Sequence, residues 1–206
     1  MRLITLSDGR EFVFSDDACE RVGPREGDPA LDALFHSLEA AEQRSTAHEA
    51  ALRLLSHRAR SEQEMRTRLA MRGIAPEAID DEVLRLRRAG LLDDEKFARA
   101  WVEDRRQTAP RGRRMLRYEL LSRGIEPESV DIVTEGIDDQ STAEALAIRK
   151  ARSLSGATYE AFAGKVGGFL RRRGFDYEVA SRATRAAWEQ LNAGATPDEQ
   201  PPDDPS

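Results

Sequence analysis

A short motif recurs three times along the chain, and it constrains the fold more than any other feature. An arginine and a glycine follow an apolar run and precede another apolar residue at Arg72-Gly73, Arg123-Gly124 and Arg173-Gly174, with spacings of 51 and 50 residues. A glycine at the end of a helical run is typical of the position just past a helix, where the left-handed backbone favours glycine. Repetition at about this period predicts a tandem array of similar units.

Each repeat unit is predicted to contain three helices, because its apolar residues follow a helical period and start and stop signals flank the runs. Capping boxes at Thr46 with Glu49, Ser61 with Glu64, and Ser141 with Glu144 predict helix starts. Pro76 and Pro127 align as first-turn prolines. The helices are predicted near 47–58, 61–72, 76–89, 94–107, 112–123, 127–136, 142–153, 158–173 and 176–192.

The units are too small to be stable alone, since each offers only eight or nine large apolar side chains against the entropy of ordering the chain. Neighbouring units should therefore pack on one another, and we expect a mainly α, elongated array of three three-helix repeats. Gly167 and Gly168 lie inside a predicted helix of the third unit, so a bent or mobile segment is expected there.

The chain begins differently from the repeats. Residues 3–6 and 11–14 are predicted strands joined by a turn at Asp8-Gly9, that is, a β-hairpin. Residues 22–29 are predicted to form a loop, and 30–44 a helix with Leu31, Leu34, Phe35 and Leu38 on one stripe. The predicted domains are 1–46 (hairpin and helix), 47–92, 93–139 and 140–192 (the three repeats) and 193–206, an acidic, proline-rich tail expected to be disordered.

Positive charge is concentrated although the net charge is −6. Residues 105–123 contain seven arginines and one acid, Glu119, and residues 171–173 are all arginine. Such stretches meet phosphates or acidic protein surfaces, or they form solvated helix faces, and both interpretations remain open.

Motifs for enzyme chemistry are absent from the sequence. There is no phosphate-binding loop of the Gly-x-x-x-x-Gly-Lys type, and the three histidines form no His-x-x-x-His pair. Cys19 is the single cysteine, and the acidic run 93–95 fits a helix start. We therefore expect no catalytic residue, no cofactor and no metal site. No apolar stretch is long enough to span a membrane, so a cytoplasmic chain without membrane contact is expected.

Three segments resemble the RecX family of RecA regulators. Residues 58–74 read RARSEQEMRTRLAMRGI, and residues 89–98 read AGLLDDEKFA. Residues 112–125, GRRMLRYELLSRGI, are similar to the second repeat of that family. The resemblance implies a non-enzymatic protein that binds the RecA recombinase filament along its helical groove. It also implies inhibition of strand exchange and of coprotease activity.

Ten arginines are the candidate contacts to the filament or to DNA within or beside it. They are Arg105, Arg106, Arg111, Arg113, Arg114, Arg117, Arg123, Arg171, Arg172 and Arg173. A monomer is expected. The alternative function is a helical module that binds nucleic acid directly through arginine–phosphate contacts.

Overall fold

The computed structural model describes residues 1–5, 9–23, 31–154 and 156–193. Within these ranges the chain is mainly helical, with two strands and ten helices. It divides into two compact units. Unit 1 comprises Met1–Phe97 and Arg123–Ile125, and unit 2 comprises Ala98–Ser122 and the residues from Glu126 onward.

Unit 1 opens with the predicted hairpin. Strands β1 (Arg2–Thr5) and β2 (Glu11–Phe14) pair antiparallel, with Ile4 opposite Phe12. Asp8 of the predicted turn lies outside the described residues, as do residues 24–29 of the predicted loop. A short helix that sequence analysis missed, α1 (Asp16–Val22), follows; the Ser15 hydroxyl caps it by accepting a hydrogen bond from the Ala18 amide.

The next helix, α2 (Leu31–His57), is continuous, so the helix start predicted at Thr46 is wrong. No glycine or proline lies between residues 31 and 57, and nothing in the backbone interrupts the helix. Its buried stripe runs from Leu38 and Ala41 to Ala47, Ala51 and Leu54. One helix thus packs against the hairpin at one end and belongs to the first repeat at the other.

The first repeat is completed by α3 (Glu62–Ala70) and α4 (Pro76–Arg88), as predicted. Ser61 is the N-cap of α3, and Pro76 occupies the first turn of α4. Apolar side chains from α2, α3, α4 and the segment after it form one buried core. Its larger members are Leu54, Met65, Leu69, Ile74, Ile79, Val83, Leu86 and Leu92.

The second repeat begins with α5 (Asp94–Thr108), which starts in unit 1 and continues in unit 2. It continues with α6 (Arg113–Leu121) and α7 (Pro127–Thr134). In unit 2, Val102, Leu116, Leu120 and Val130 are buried.

The third repeat consists of α8 (Asp139–Ala151), α9 (Tyr159–Arg172) and α10 (Tyr177–Asn192). Asp138 caps α8, three residues before the predicted start at Ser141, because its carboxylate accepts the Ser141 amide at 3.0 Å. Helix α9 runs through Gly167 and Gly168 without interruption. The core includes Leu146, Phe162, Val166, Leu170 and Phe175. Residues 194–206, almost all of the predicted tail, lie outside the described residues.

The three glycines of the sequence repeat have the same role. Gly73, Gly124 and Gly174 follow the second helix of their repeats with φ of 75°, 77° and 90°. These left-handed angles confirm the helix-end interpretation and the three-fold repetition of the unit.

Candidate partner-binding surface

Within unit 1, the turn formed by Arg123 and Gly124 packs on the start of α3. The Ser61 hydroxyl donates a 2.7 Å hydrogen bond to the Arg123 carbonyl oxygen and accepts one of 3.1 Å from the Glu64 amide. Arg123 Nε lies 3.6 Å from Glu64 Oε1. One serine therefore caps its own helix and binds a turn from the second repeat.

Within unit 2, the turn formed by Arg173 and Gly174 packs in the same way on the start of α6. The Gly112 amide donates a 2.9 Å hydrogen bond to the Arg173 carbonyl oxygen. The Arg173 guanidinium donates one of 3.1 Å to the Pro110 carbonyl oxygen. A Cβ on Gly112 would overlap the backbone of Gly174, so the approach requires glycine here.

At each of these two helix starts, an aspartate from the beginning of the next repeat in the chain accepts a hydrogen bond from the first amide of the helix. Asp94 accepts the Glu62 amide at 2.8 Å in unit 1, and Asp139 accepts the Arg113 amide at 2.9 Å in unit 2. Burial is the largest influence on both carboxyl groups and raises their pKa above the usual value, while the amide hydrogen bond opposes it. Asp93, by contrast, caps its own helix through the Lys96 amide, as expected for this acidic run.

Five of the ten candidate arginines are engaged in intramolecular contacts. Arg105 donates to Glu119 at 2.9 Å and stacks 4.2 Å from the Trp101 ring. Glu119 also accepts the Trp101 indole N–H at 2.8 Å and lies 3.7 Å from Arg111 Nε. The contacts of Glu119 with Trp101 and Arg105 therefore join α5 to α6 within unit 2. The five are Arg105, Arg111, Arg117, Arg123 and Arg173.

The contacts of Arg117 and Arg173 bear on any mutational test. Arg117 forms an ion pair with Asp131 in the second repeat. The equivalent residues of the first repeat, Arg66 and Asp80, form the corresponding ion pair. Arg173 stacks 4.6 Å from the Phe169 ring, and burial together with the charges of Arg111 and Arg149 lowers its pKa. Reversing either charge would therefore disturb the fold as well as a surface.

The other five candidate arginines are exposed. Arg106 pairs weakly with Glu103 at 3.4 Å. The remaining four form no ion pair with any residue that the structure describes: Arg113, Arg114, Arg171 and Arg172. These four side chains are free to contact another molecule, and they all lie in unit 2.

Sequence analysis missed a second basic cluster, in the first repeat. Arg60 donates to the Leu54 carbonyl oxygen at 3.2 Å. Its pKa is lowered by burial and by the neighbouring charges of Arg58, Arg68 and Arg72. Arg68 stands 51 residues before Glu119, so the first repeat carries a cation where the second carries an acid. Alignment of the repeats position by position would have shown this substitution.

Among the described cysteine and histidine side chains, the kinds that could serve catalysis or metal binding, Cys19 is buried and His48 lies beside a buried carboxylate. Cys19 is buried, and burial raises the pKa of its thiol, which disfavours the reactive thiolate. His48 Nδ1 lies 2.9 Å from the buried Glu82 carboxylate. In the described ranges no group of three His, Cys, Asp or Glu side chains is placed to hold a metal ion. No helix in the same ranges is long and apolar enough to cross a membrane.

Comparison with protein families identifies the repeats. Models of the first, second and third three-helix domains of RecX match residues 47–86, 93–133 and 138–184. The chain belongs to the RecX family.

Relatives and solved structures agree with this assignment. The chain is 33% identical to regulatory protein RecX of Corynebacterium efficiens over 181 residues, 84% of this chain and 86% of that one. It is 37% identical to RecX of Mycobacterium avium over 140 residues, 66% and 80% of the two chains. The fold resembles the crystal structure of Lactobacillus salivarius RecX, with a TM-score of 0.63 at 22% identity, covering 74% and 99% of the chains. A second RecX crystal structure gives 0.70 at 19% identity, covering 89% and 97%.

Proposed function

We propose that this protein is a non-enzymatic regulator that binds the RecA recombinase filament along its helical groove and inhibits strand exchange and coprotease activity. The observation that carries the proposal is that all three RecX three-helix domains occur in order. Several weak contacts on one chain strengthen each other because the first contact raises the effective concentration for the next. A tandem array of similar domains can use this effect when it binds a filament of repeated subunits. Such a regulator acts in the cytoplasm, in DNA repair and the SOS response.

Four exposed arginines are proposed to supply electrostatic contacts to the filament: Arg113, Arg114, Arg171 and Arg172. They make no ion pair with a described residue, so binding an acidic group does not break an existing interaction. Arginine also offers planar, bidentate contacts to carboxylate and phosphate groups. Arg106, Arg105, Arg111, Arg117, Arg123 and Arg173 are proposed to have a secondary part at most, because they already have intramolecular partners.

Charge reversal tests this proposal, provided that the variants spare the intramolecular pairs. R113E/R114E and R171E/R172E leave Arg117 with Asp131 and Arg173 with Pro110. The readout is RecA ATPase activity on single-stranded DNA with this protein titrated in. Each variant should raise the concentration needed for inhibition by about tenfold or more. R53E/R185E, which reverses two exposed arginines outside the candidate set, should behave like the wild type. Absence of inhibition by equimolar wild-type protein would contradict the proposal.

A second candidate function is direct nucleic-acid binding, favoured by Arg68 and Arg72, two exposed arginines of the first repeat whose charges act on the partly buried Arg60. Accumulated positive charge attracts phosphates, and such binding weakens steeply between about 50 and about 200 mM salt. Binding to DNA without RecA, with this salt dependence, would support the second function. Binding that requires RecA would support the first. Sedimentation of the free protein tests the expected monomer.

A further inference from the structure

One of the three arginine-glycine turns is left uncovered. The turn Met71–Ile74 shares its sequence pattern and its left-handed glycine with the other two, since φ of Gly73 is 75°. A Cβ built on Gly73 would meet no atom of the described residues within 4 Å, and Met71 is 73% exposed. The first repeat therefore leaves without a covering helix a turn that packs against a helix start in the other two.

The chain itself shows what covers such a turn. A Cβ on Gly124 would overlap the Gln63 side chain, which belongs to the first turn of α3. A Cβ on Gly174 would overlap Met115, in the first turn of α6. In both cases the start of a helix lies against the glycine and its N-cap residue donates a hydrogen bond to the arginine carbonyl oxygen. The carbonyl oxygen of Arg72 accepts no such hydrogen bond from the described residues.

An apolar groove adjoins the uncovered turn. Its volume is about 570 Å³, and its apolar lining comes from α3, α4 and the turn between them: Ala70, Met71, Ile74, Pro76 and Ile79. Gln63, Thr67 and the ion-paired Arg66 and Asp80 complete the lining. Exposed apolar surface of this kind, rimmed by polar side chains, is typical of an interaction site.

Charge specifies what the groove can receive. Arg123 of the covered turn in unit 1 pairs with Glu64, the third residue of the helix that covers it. Arg72 forms no ion pair with a described residue, and the exposed Arg68 adds positive charge nearby, whereas Arg58 is paired with Glu64 at 2.8 Å. A helix that covers this turn should therefore carry an acid in its first turn, where carboxylates are also favoured by the helix dipole.

A second copy of this chain is poorly suited to supply the missing helix start. The residue of the third repeat that aligns with Ser61 and Gly112 is Phe162, which is fully buried inside α9. Helices α3 and α6 begin about three turns before the glycine of their repeats, whereas α9 begins about one turn further from Gly174. The position that is an N-cap in α3 and α6 therefore lies inside α9. The third repeat therefore offers no helix start at the position that covers Gly124 and Gly174, and we assign the occupant to another protein.

We propose that the Met71–Ile74 turn and its groove form a docking site for the N-terminal turn of a helix in the filament protein. The N-cap of that helix, a serine, threonine or glycine, donates to the Arg72 carbonyl oxygen. A side chain in its first turn lies against Gly73, and an acid there pairs with Arg72. The identity of the partner rests on the function proposed above, while the chemistry of the contact rests on the two covered turns.

Substitution of Gly73 by asparagine tests the docking site. Asparagine is the residue that best replaces glycine in left-handed helix ends, so G73N should fold, but its side chain fills the space that the partner would use. G90N is the matched control, because Gly90 ends α4 with φ of 68° and is equally open. M71Q removes the apolar contact without adding charge. The measurements are affinity for RecA filaments on single-stranded DNA and the circular dichroism of each variant.

The expected result is a loss of affinity of about tenfold or more for G73N and for M71Q, with wild-type behaviour for G90N and unchanged helical signal throughout. Hydrogen exchange should slow at the amides of residues 71–75 when filaments are added. Wild-type affinity of G73N and M71Q would overturn the docking site, while the regulatory function would stand if R113E/R114E still lost affinity. No binding by the wild-type chain would overturn both, because the proposed partner would be wrong.

Discussion

Ser61 and Arg123 are 62 residues apart in the chain, yet the Ser61 hydroxyl donates a 2.7 Å hydrogen bond to the Arg123 carbonyl oxygen. The same hydroxyl oxygen accepts the Glu64 amide. A single buried side chain thus joins a local helix cap to a tertiary contact within unit 1, and its removal should affect both.

S61A should lower the free energy of unfolding by about 1–2 kcal/mol, because a helix cap is lost and a carbonyl oxygen loses its donor. The midpoint of urea unfolding, followed by circular dichroism, measures the change. T67A is the control: Thr67 bonds only the Gln63 carbonyl oxygen of its own helix on an exposed face, so its midpoint should stay close to the wild type. Equal midpoints for S61A and wild type would contradict the tertiary role of Ser61.

Alanine at the three repeated glycines should separate backbone strain from crowding. G73A introduces only the left-handed strain, about 1 kcal/mol, because its Cβ has open space. G124A adds an overlap with Gln63, and G174A an overlap with Met115, which should cost about 1–3 kcal/mol more. Thermal unfolding of the three variants measures the order. A G73A variant as unstable as G124A would show that the Gly73 turn is not open.

Sequence reasoning succeeds for the repeat because its signals are local. Left-handed glycines, first-turn prolines and the Ser61 cap depend on neighbours within four residues. The continuity of α2 through Thr46 was missed because a capping box competes with an uninterrupted apolar stripe, and packing of that stripe decides. Local signals alone do not reveal such packing.

The candidate surface was predictable only in part, because a charge run does not show which charges are already paired. Arg105 and Arg113 lie in one arginine-rich segment, yet Arg105 stacks on Trp101 while Arg113 is exposed. The partner of Arg105, Glu119, is 14 residues away, and that of Arg173 is 63 residues away. Tertiary contacts at these distances decide which arginines remain available.

Glu119 should be important for stability in the second repeat. It accepts hydrogen bonds from Trp101 and Arg105 and lies near Arg111, with its side chain only 15% exposed. E119A should lower the unfolding free energy by about 2–3 kcal/mol, since it leaves half-buried donors without their acceptor. E119Q, which keeps an acceptor oxygen, should lose less. Chemical denaturation measures both, and a red shift in tryptophan emission of E119A would report on Trp101. Equal stability of E119A and wild type would refute this role.

Asp94 and Asp139 should impose a common pH dependence. Burial raises the pKa of each carboxyl group in the folded protein above its unfolded value. The folded state therefore binds more protons than the unfolded state between these two values. The stabilising contribution of each group is fully present below the unfolded pKa, near 3.8, and is lost as the pH rises through the raised folded value.

Variants in which asparagine replaces either aspartate isolate this pH dependence. The stability of the wild type minus that of D94N, or of D139N, should fall as the pH rises from 3.8 through the raised folded pKa, because asparagine does not titrate in this range. Urea titrations at a series of pH values measure the difference. D131N is the comparison for an exposed carboxylate, since the side chain of Asp131 is 59% exposed and pairs with Arg117. A difference that rises with pH for D94N would reverse the sign and contradict the inferred burial effect.

Helix α9 contains glycines that packing within the chain does not require. Among the atoms that the structure describes, a Cβ on Gly164 would meet none within 4 Å, and one on Gly167 would meet only the Thr184 hydroxyl at 3.8 Å, an ordinary contact. Alanine at either position should therefore raise the unfolding free energy by about 0.5–1 kcal/mol, because glycine loses more backbone entropy in a helix. Thermal unfolding measures the gain. G174A, which should be destabilised, serves as the opposite control in the same repeat. Loss of stability in G164A would contradict the prediction and show that α9 needs the backbone flexibility of glycine at this position.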